Sequence, residues 1–105
     1  MGSESVDFAK EFRRLATENK PESAIELGGV TIRLVRVRGG GEGRWDRHDN
    51  TAETAIVWSG DFFVEFRDST LVLRPGQCCV VPTRTEHRGT SKNGAEIILF
   101  TTTES

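Results

Sequence analysis

The stretch DFFVEFRDSTLVLRPGQCCVVP, Asp61 to Pro82, reads as strand, turn, strand, turn, strand. Phe62, Val64 and Phe66 alternate with Phe63 and Glu65, the period of two that sends successive side chains to opposite faces of a strand. STLVLRPG repeats the pattern with Leu71 and Leu73 before a turn at Gly76. Moving outward, GGVTIRLVRVRGGG is rich in β-branched residues between glycine clusters, and ETAIVWSG, EHRGTS and AEIILFTTT complete a run of short strands. Turn signals every eight to twelve residues with no helical pattern between strands predict an all-β sandwich or barrel, not parallel βαβ units.

One helix is predicted. In SVDFAKEFRRLAT, residues 5–17, Phe8, Phe12, Leu15 and Ala16 fall at helical spacing, with Ser5 as the expected N-cap. Pro21 then biases Lys20 away from helical angles, so ENKPES breaks the helix. The expected division is a helical arm, residues 1–20, and one barrel domain, residues 21–105.

Composition excludes several function classes. The 105 residues carry 14 Lys+Arg against 16 Asp+Glu, a formal net charge of -2, which argues against nucleic-acid binding through a bulk positive field. No apolar stretch approaches a membrane span, and the N-terminus lacks a signal core, so no membrane partner is expected and a cytoplasmic location is. Cys78 and Cys79 are adjacent, a spacing that strains a disulfide, and they read as reduced, packed thiols. The glycine-rich RGGGEG precedes a strand, not a helix that would present its amides, so it is not a nucleotide loop. Gly40, Gly60 and Gly76 read as turn residues that tolerate positive φ.

The chain has two histidines. Asp46 and His48 stand two residues apart, so on extended backbone their side chains face one way. Glu53 follows the turn HDNTAE and returns toward the same space, and His87 after VVP approaches from another strand. Two imidazoles with carboxylate oxygen suit Fe(II), Mn(II), Zn(II), Ni(II) or Co(II).

The spacing of these residues resembles the cupin superfamily. Its first motif, G(X)5HXH(X)3,4E(X)6G, is met in register by Gly40, His48, Glu53 and Gly60, with Asp46 at the first histidine position. Its second, G(X)5PXG(X)2H(X)3N, is met by Gly76, Pro82 and His87, while Arg84 replaces the inner glycine and Ser91 the asparagine. The resemblance spans roughly residues 28–101 and is strongest for small single-domain members of the mannose-6-phosphate-isomerase-like type, which carry WHxH where this chain has WDRH. It implies a double-stranded β-helix, or jelly-roll barrel, and a homodimer.

On this resemblance His48, Glu53 and His87 hold a divalent metal, with Asp46 as fourth ligand, catalytic base or hydrogen-bonding neighbour. A second carboxylate in the ligand set would cancel the ion's double charge, where the usual three-His-one-Glu set leaves a formal +1. The implied function is a metal-dependent enzyme on a small molecule, of oxygenase, isomerase or lyase type. Two alternatives stand beside it: a non-catalytic binding or sensing barrel, and a metal-free structural dimer. Arg36, Arg38, Arg44, Arg47, Arg84 and Arg88 cluster near the expected mouth, with Arg36 and Arg38 as candidate substrate-binding residues. In TIRLVRVR the alternation changes parity between Leu34 and Val35, which predicts a bulge. Trp45 and Trp58 are expected to pack at the core or rim.

Overall fold

A stripe of Phe8, Phe12 and Leu15 gives helix α1, Phe8–Thr17, a single apolar face, and Phe12 and Leu15 are fully buried. In the computed structural model, which describes residues 4–103, the N-cap is Asp7 and not Ser5. The Asp7 carboxylate accepts the Lys10 amide at 3.1 Å, which satisfies one of the donors a helix start leaves open. Asn19 adopts φ 53°, and the amides of Asn19 and Lys20 donate back to the Ala16 and Leu15 carbonyls, so a left-handed cap ends the helix ahead of Pro21.

Among the described residues eight strands follow: β1 (Glu22–Leu27), β2 (Val30–Val37), β3 (Thr51–Gly60), β4 (Phe62–Glu65), β5 (Thr70–Leu73), β6 (Cys78–Val81), β7 (Arg88–Thr90) and β8 (Ala95–Thr103). They form two antiparallel sheets, β1-β2-β8-β3-β6 and β5-β4-β7. This is the expected all-β jelly roll with one N-terminal helix. Strand β1 lies outside the expected set, for Glu22 and Ser23 belong to the expected break ENKPES and AIEL carries no strand signal of its own. Its exposure nevertheless alternates cleanly, and Gly28 and Gly29 turn it into β2 with φ of 58° and 80°. Positive φ at both central residues is the geometry a two-residue hairpin needs.

The larger sheet packs against apolar groups on both faces. Ala55, Val57 and Ile97 point inward to join Phe62, Val64 and Leu73 of the smaller sheet in the barrel core. Leu34 and Ile98 point outward, where they pack with Phe12 and Leu15 of α1. This explains the parity change in TIRLVRVR without a bulge, since β2 pairs with β1 and β8 in unbroken register. Leu34 serves the helix layer, and Val35 and Val37 line the barrel cavity. The bulge lies instead in β3, between Val57 and Ser59, where Trp58 turns out to meet Phe8 and Phe12 at ring-centroid distances of 5.9 and 6.3 Å. Full burial of an apolar side chain, as at Phe12 and Leu15, is worth about 1.5–3 kcal/mol.

Candidate metal centre

Three local devices bring the polar residues together. The first is a backbone bridge: the Asp46 amide donates to the His87 carbonyl at 2.8 Å, and the His87 amide donates to the Asp46 carbonyl at 3.0 Å. Residues paired in this way carry their side chains on one face of the ladder. The second is the turn after Pro82. There Arg84 takes φ 59° at the position of the second motif's inner glycine, and its amide donates to the His48 carbonyl at 2.6 Å. An L-residue in that conformation costs about 1–2 kcal/mol, which the fold tolerates to hold the His48 loop. The third is β3, whose Glu53 is pinned between Val81 of β6 and Thr101 of β8. Its inward neighbours Ala55 and Val57 are core residues, so Glu53 shares the interior face.

His48, Glu53 and His87 each offer one ligand atom, and these atoms lie within 4.8 Å of one another. Glu53 stands between the histidines, with one carboxylate oxygen 3.4 Å from His48 Nε2 and the other 3.4 Å from His87 Nε2. The His87 side chain is 8% exposed and that of Glu53 13%. His87 Nδ1 lies 2.9 Å from the Thr85 carbonyl, which can only accept, so Nδ1 carries a proton and Nε2 of the neutral ring is bare. His48 Nε2 is fully buried and has no hydrogen-bond partner. The bare Nε2 of His87 faces the Glu53 carboxylate lone pair against lone pair, the Nε2 of His48 is buried without a partner, and a divalent cation would satisfy all three. The donor set therefore fits the metal, and the Thr85 contact is the support that a ligating histidine typically receives on its second nitrogen.

Asp46 stands at the margin of this cluster. Its Oδ2 is 3.7 Å from His48 Nε2, its side chain is 63% exposed, and its Oδ1 accepts the Arg47 amide at 2.7 Å. A cavity of about 420 Å³ opens beside the histidines, with Asp46, Glu53 and His87 in its wall.

The arginines sort differently from expectation. Arg36 and Arg38 line a separate groove behind the C-terminal end of α1, and Arg36 Nη1 donates to the Leu15 and Lys20 carbonyls at 3.4 Å. The reason is strand parity, for Arg36 shares the outward face with Leu34. Arg33, Arg44 and Arg88 line the barrel cavity instead. Arg33 was missed, although counting back by two from the inward Val35 identifies it. Arg88 is bound to the Glu65 carboxylate at 2.9 Å, and Arg67 and Arg88 lie 3.8 and 4.8 Å from the Trp45 ring centroid. The Thr90 hydroxyl, and then Arg88, hold the Glu65 carboxyl below its ordinary range. Arg47 pairs with Asp49. Cys79 packs against the barrel core, where burial above all pushes its thiol up, helped by Cys78 and Glu53. Cys78 is exposed, not packed, because it lies on the outward face of edge strand β6. Ser91, at the asparagine position of the second motif, is buried and accepts the Gly94 amide at 2.9 Å.

Residues 33–101 match the family model of the cupin domain. The chain belongs to the cupin family. This cupin is similar to a cupin-2 domain containing protein from Shewanella frigidimarina, at 27% identity and TM-score 0.78, over 94% of each chain. It is likewise similar to a protein from Neisseria meningitidis, at 26% identity and TM-score 0.77, over 93% of this chain and 98% of that one. A cupin protein from Bacteroides fragilis shares the fold at 13% identity and TM-score 0.67, over 79% of this cupin and 78% of that chain. A comparison with curated proteins found no match. Among the described residues no helix is long and apolar enough to cross a membrane.

Proposed function

We propose that this cupin binds one divalent transition-metal ion on His48, Glu53 and His87 and acts as a metal-dependent enzyme on a small molecule that enters the barrel cavity. The observation that carries this reading is the convergence of three ligand atoms within 4.8 Å, one of them a buried imidazole nitrogen with no partner. Two histidines and one carboxylate leave coordination positions free. A bound ion of this kind polarises a substrate oxygen, lowers the pKa of a water, or activates dioxygen. The protein's own share is positional. The Thr85 carbonyl fixes the His87 tautomer, Arg84 fixes the His48 loop, and the apolar barrel wall excludes water.

Asp46 is proposed as the proton-handling group. It is close enough to meet a substrate at the cavity wall, yet its side chain is mostly exposed, which leaves it free to exchange protons with solvent. The likeness to mannose-6-phosphate-isomerase-like members rests on the segment WDRH alone and belongs to this proposal, as does cytoplasmic placement. A homodimer is part of it too. Val30 and Val80, 44% and 58% exposed, lie on the outward face of the larger sheet and offer a surface for a second copy.

An exchangeable coordination position separates an enzyme from a closed site. Cobalt(II) bound in one equivalent is expected to change its visible absorption when azide is added, because azide occupies a free position. A spectrum that azide leaves unchanged indicates a saturated ion and removes the catalytic reading. Light scattering on the same sample is expected to give a dimer, and a mass of 11.7 kDa would remove that part.

A further inference from the structure

Three arginines line the cavity beside the histidines, and two of them are already neutralised. Arg33 is paired with Glu22 at 2.8 Å and Arg88 with Glu65 at 2.9 Å. Arg44 is exposed at the cavity rim, and no ion pair or hydrogen bond is found for it among the described residues. Its backbone is held firmly. Gly43, at φ 72°, packs so closely on β7 that a Cβ there would lie 2.7 Å from the Gly89 carbonyl oxygen. On its other side, Trp45 is faced by the guanidinium groups of Arg67 and Arg88.

Charge and shape then define a ligand. A dication is balanced by the Glu53 and Asp46 carboxylates, so Arg44 is the one cation of the cavity wall left without a counter-charge among the described residues. The rest of the wall includes Val35, Val37, Phe62, Val64 and Leu99. A volume of about 420 Å³ lies in the range of small-molecule sites. We infer that the cavity takes an organic monocarboxylate with an apolar body, its carboxylate bound by the Arg44 guanidinium and its body against the apolar wall. A guanidinium presents two parallel N–H groups to a carboxylate, which fixes orientation as well as charge. Inorganic phosphate suits the site less, since it has no apolar body and carries more charge than one free arginine offers.

This inference names the substrate class for the site proposed above and rests on that reading, because the bound dication is what offsets the Glu53 and Asp46 carboxylates. The test is isothermal titration of the zinc-treated full chain with benzoate and phenylacetate, and with their uncharged counterparts benzamide and phenylacetamide. The acids are expected to bind and the amides to bind at least about tenfold more weakly. Arg44→Gln is expected to weaken the acids about 10–100-fold, the worth of a hydrogen bond to a charged group, and to leave zinc content and amide binding unchanged. Arg44→Lys should recover part of the loss. Acids that bind Arg44→Gln as well as the unaltered protein, or no better than their amides, or not at all, overturn the inference. A protein that takes up no zinc but still prefers the acids through Arg44 contradicts the metal reading and leaves the carboxylate site at Arg44 standing.

Discussion

His87→Ala and His48→Ala are each expected to lose the bound ion and keep the barrel. Each variant leaves two ligands where there were three, and an ion held by one imidazole and one carboxylate competes poorly with water. Affinity should fall by more than the 10–100-fold typical of removing a mere supporting contact to a ligand. The fold should survive, because the Asp46–His87 bridge is made by backbone atoms and neither imidazole is part of the apolar core. Asp46→Ala is the contrast. Its carboxylate is further from His48 Nε2 than Glu53 is, 3.7 Å against 3.4 Å, and mostly exposed, so this variant should retain its metal within about tenfold in affinity. Elemental analysis after dialysis, with far-UV circular dichroism as the check on folding, reads all three. Full metal content in either histidine variant would refute the assigned ligands.

Gly60→Ala is expected to be among the most destabilising small substitutions in the chain. Gly60 ends β3, at the corner where the chain crosses from the larger sheet to the smaller, and has φ 85°. A Cβ there would lie 2.1 Å from the Gly94 carbonyl oxygen and 2.7 Å from Ala95 Cα. Both are backbone atoms, Ala95 in the strand paired with Gly60 and Gly94 immediately before that strand, so neither can swing aside as a flexible side chain would. The left-handed conformation costs about 1–2 kcal/mol and the forced shift of β8 about 1–3 kcal/mol more. Together they amount to about 2–5 kcal/mol, a fall in melting temperature on the order of 10–30 °C for a domain of this size. Gly76→Ala isolates the two effects. Gly76 has nearly the same φ, 86°, but nothing within 4 Å of its Cβ position, so only the conformational cost of about 1–2 kcal/mol should appear. Equal melting temperatures for the two variants would show that the close approach at Gly60 has no energetic weight.

Much of this was legible in the residues. The alternation of Phe62, Val64 and Phe66 predicts the inward face of β4, where Phe62 and Val64 are buried core residues. Gly40, Gly60 and Gly76 all adopt the positive φ expected of them. His48, Glu53 and His87 converge as their spacing implied, because register along antiparallel strands fixes which side chains share a face.

What was not legible depended on the second face of the sheet. Alternation identifies an inside when one side of a strand meets water, but β2 is covered by the barrel on one side and α1 on the other. Its apolar residues therefore carry no parity signal, and with parity lost the alternation leaves the faces of that strand's arginines open. Arg33 faces the cavity, and Arg36 lies beside the helix terminus. Strand β1 was hidden by short side chains and glutamates, Glu22, Ala24 and Glu26, on its exposed face. Asp46 shows a different limit. Spacing placed it beside His48, but its exposure follows from where the bridge to His87 ends, which only the assembled barrel determines.

Diffraction from crystals of untreated protein, recorded across the manganese, iron, cobalt, nickel and zinc absorption edges, is expected to reveal one divalent ion among His48, Glu53 and His87. An anomalous peak should lie about 2.0–2.3 Å from His48 Nε2, His87 Nε2 and a Glu53 carboxylate oxygen. No peak at that point, or an ion held by other side chains, would contradict this assignment.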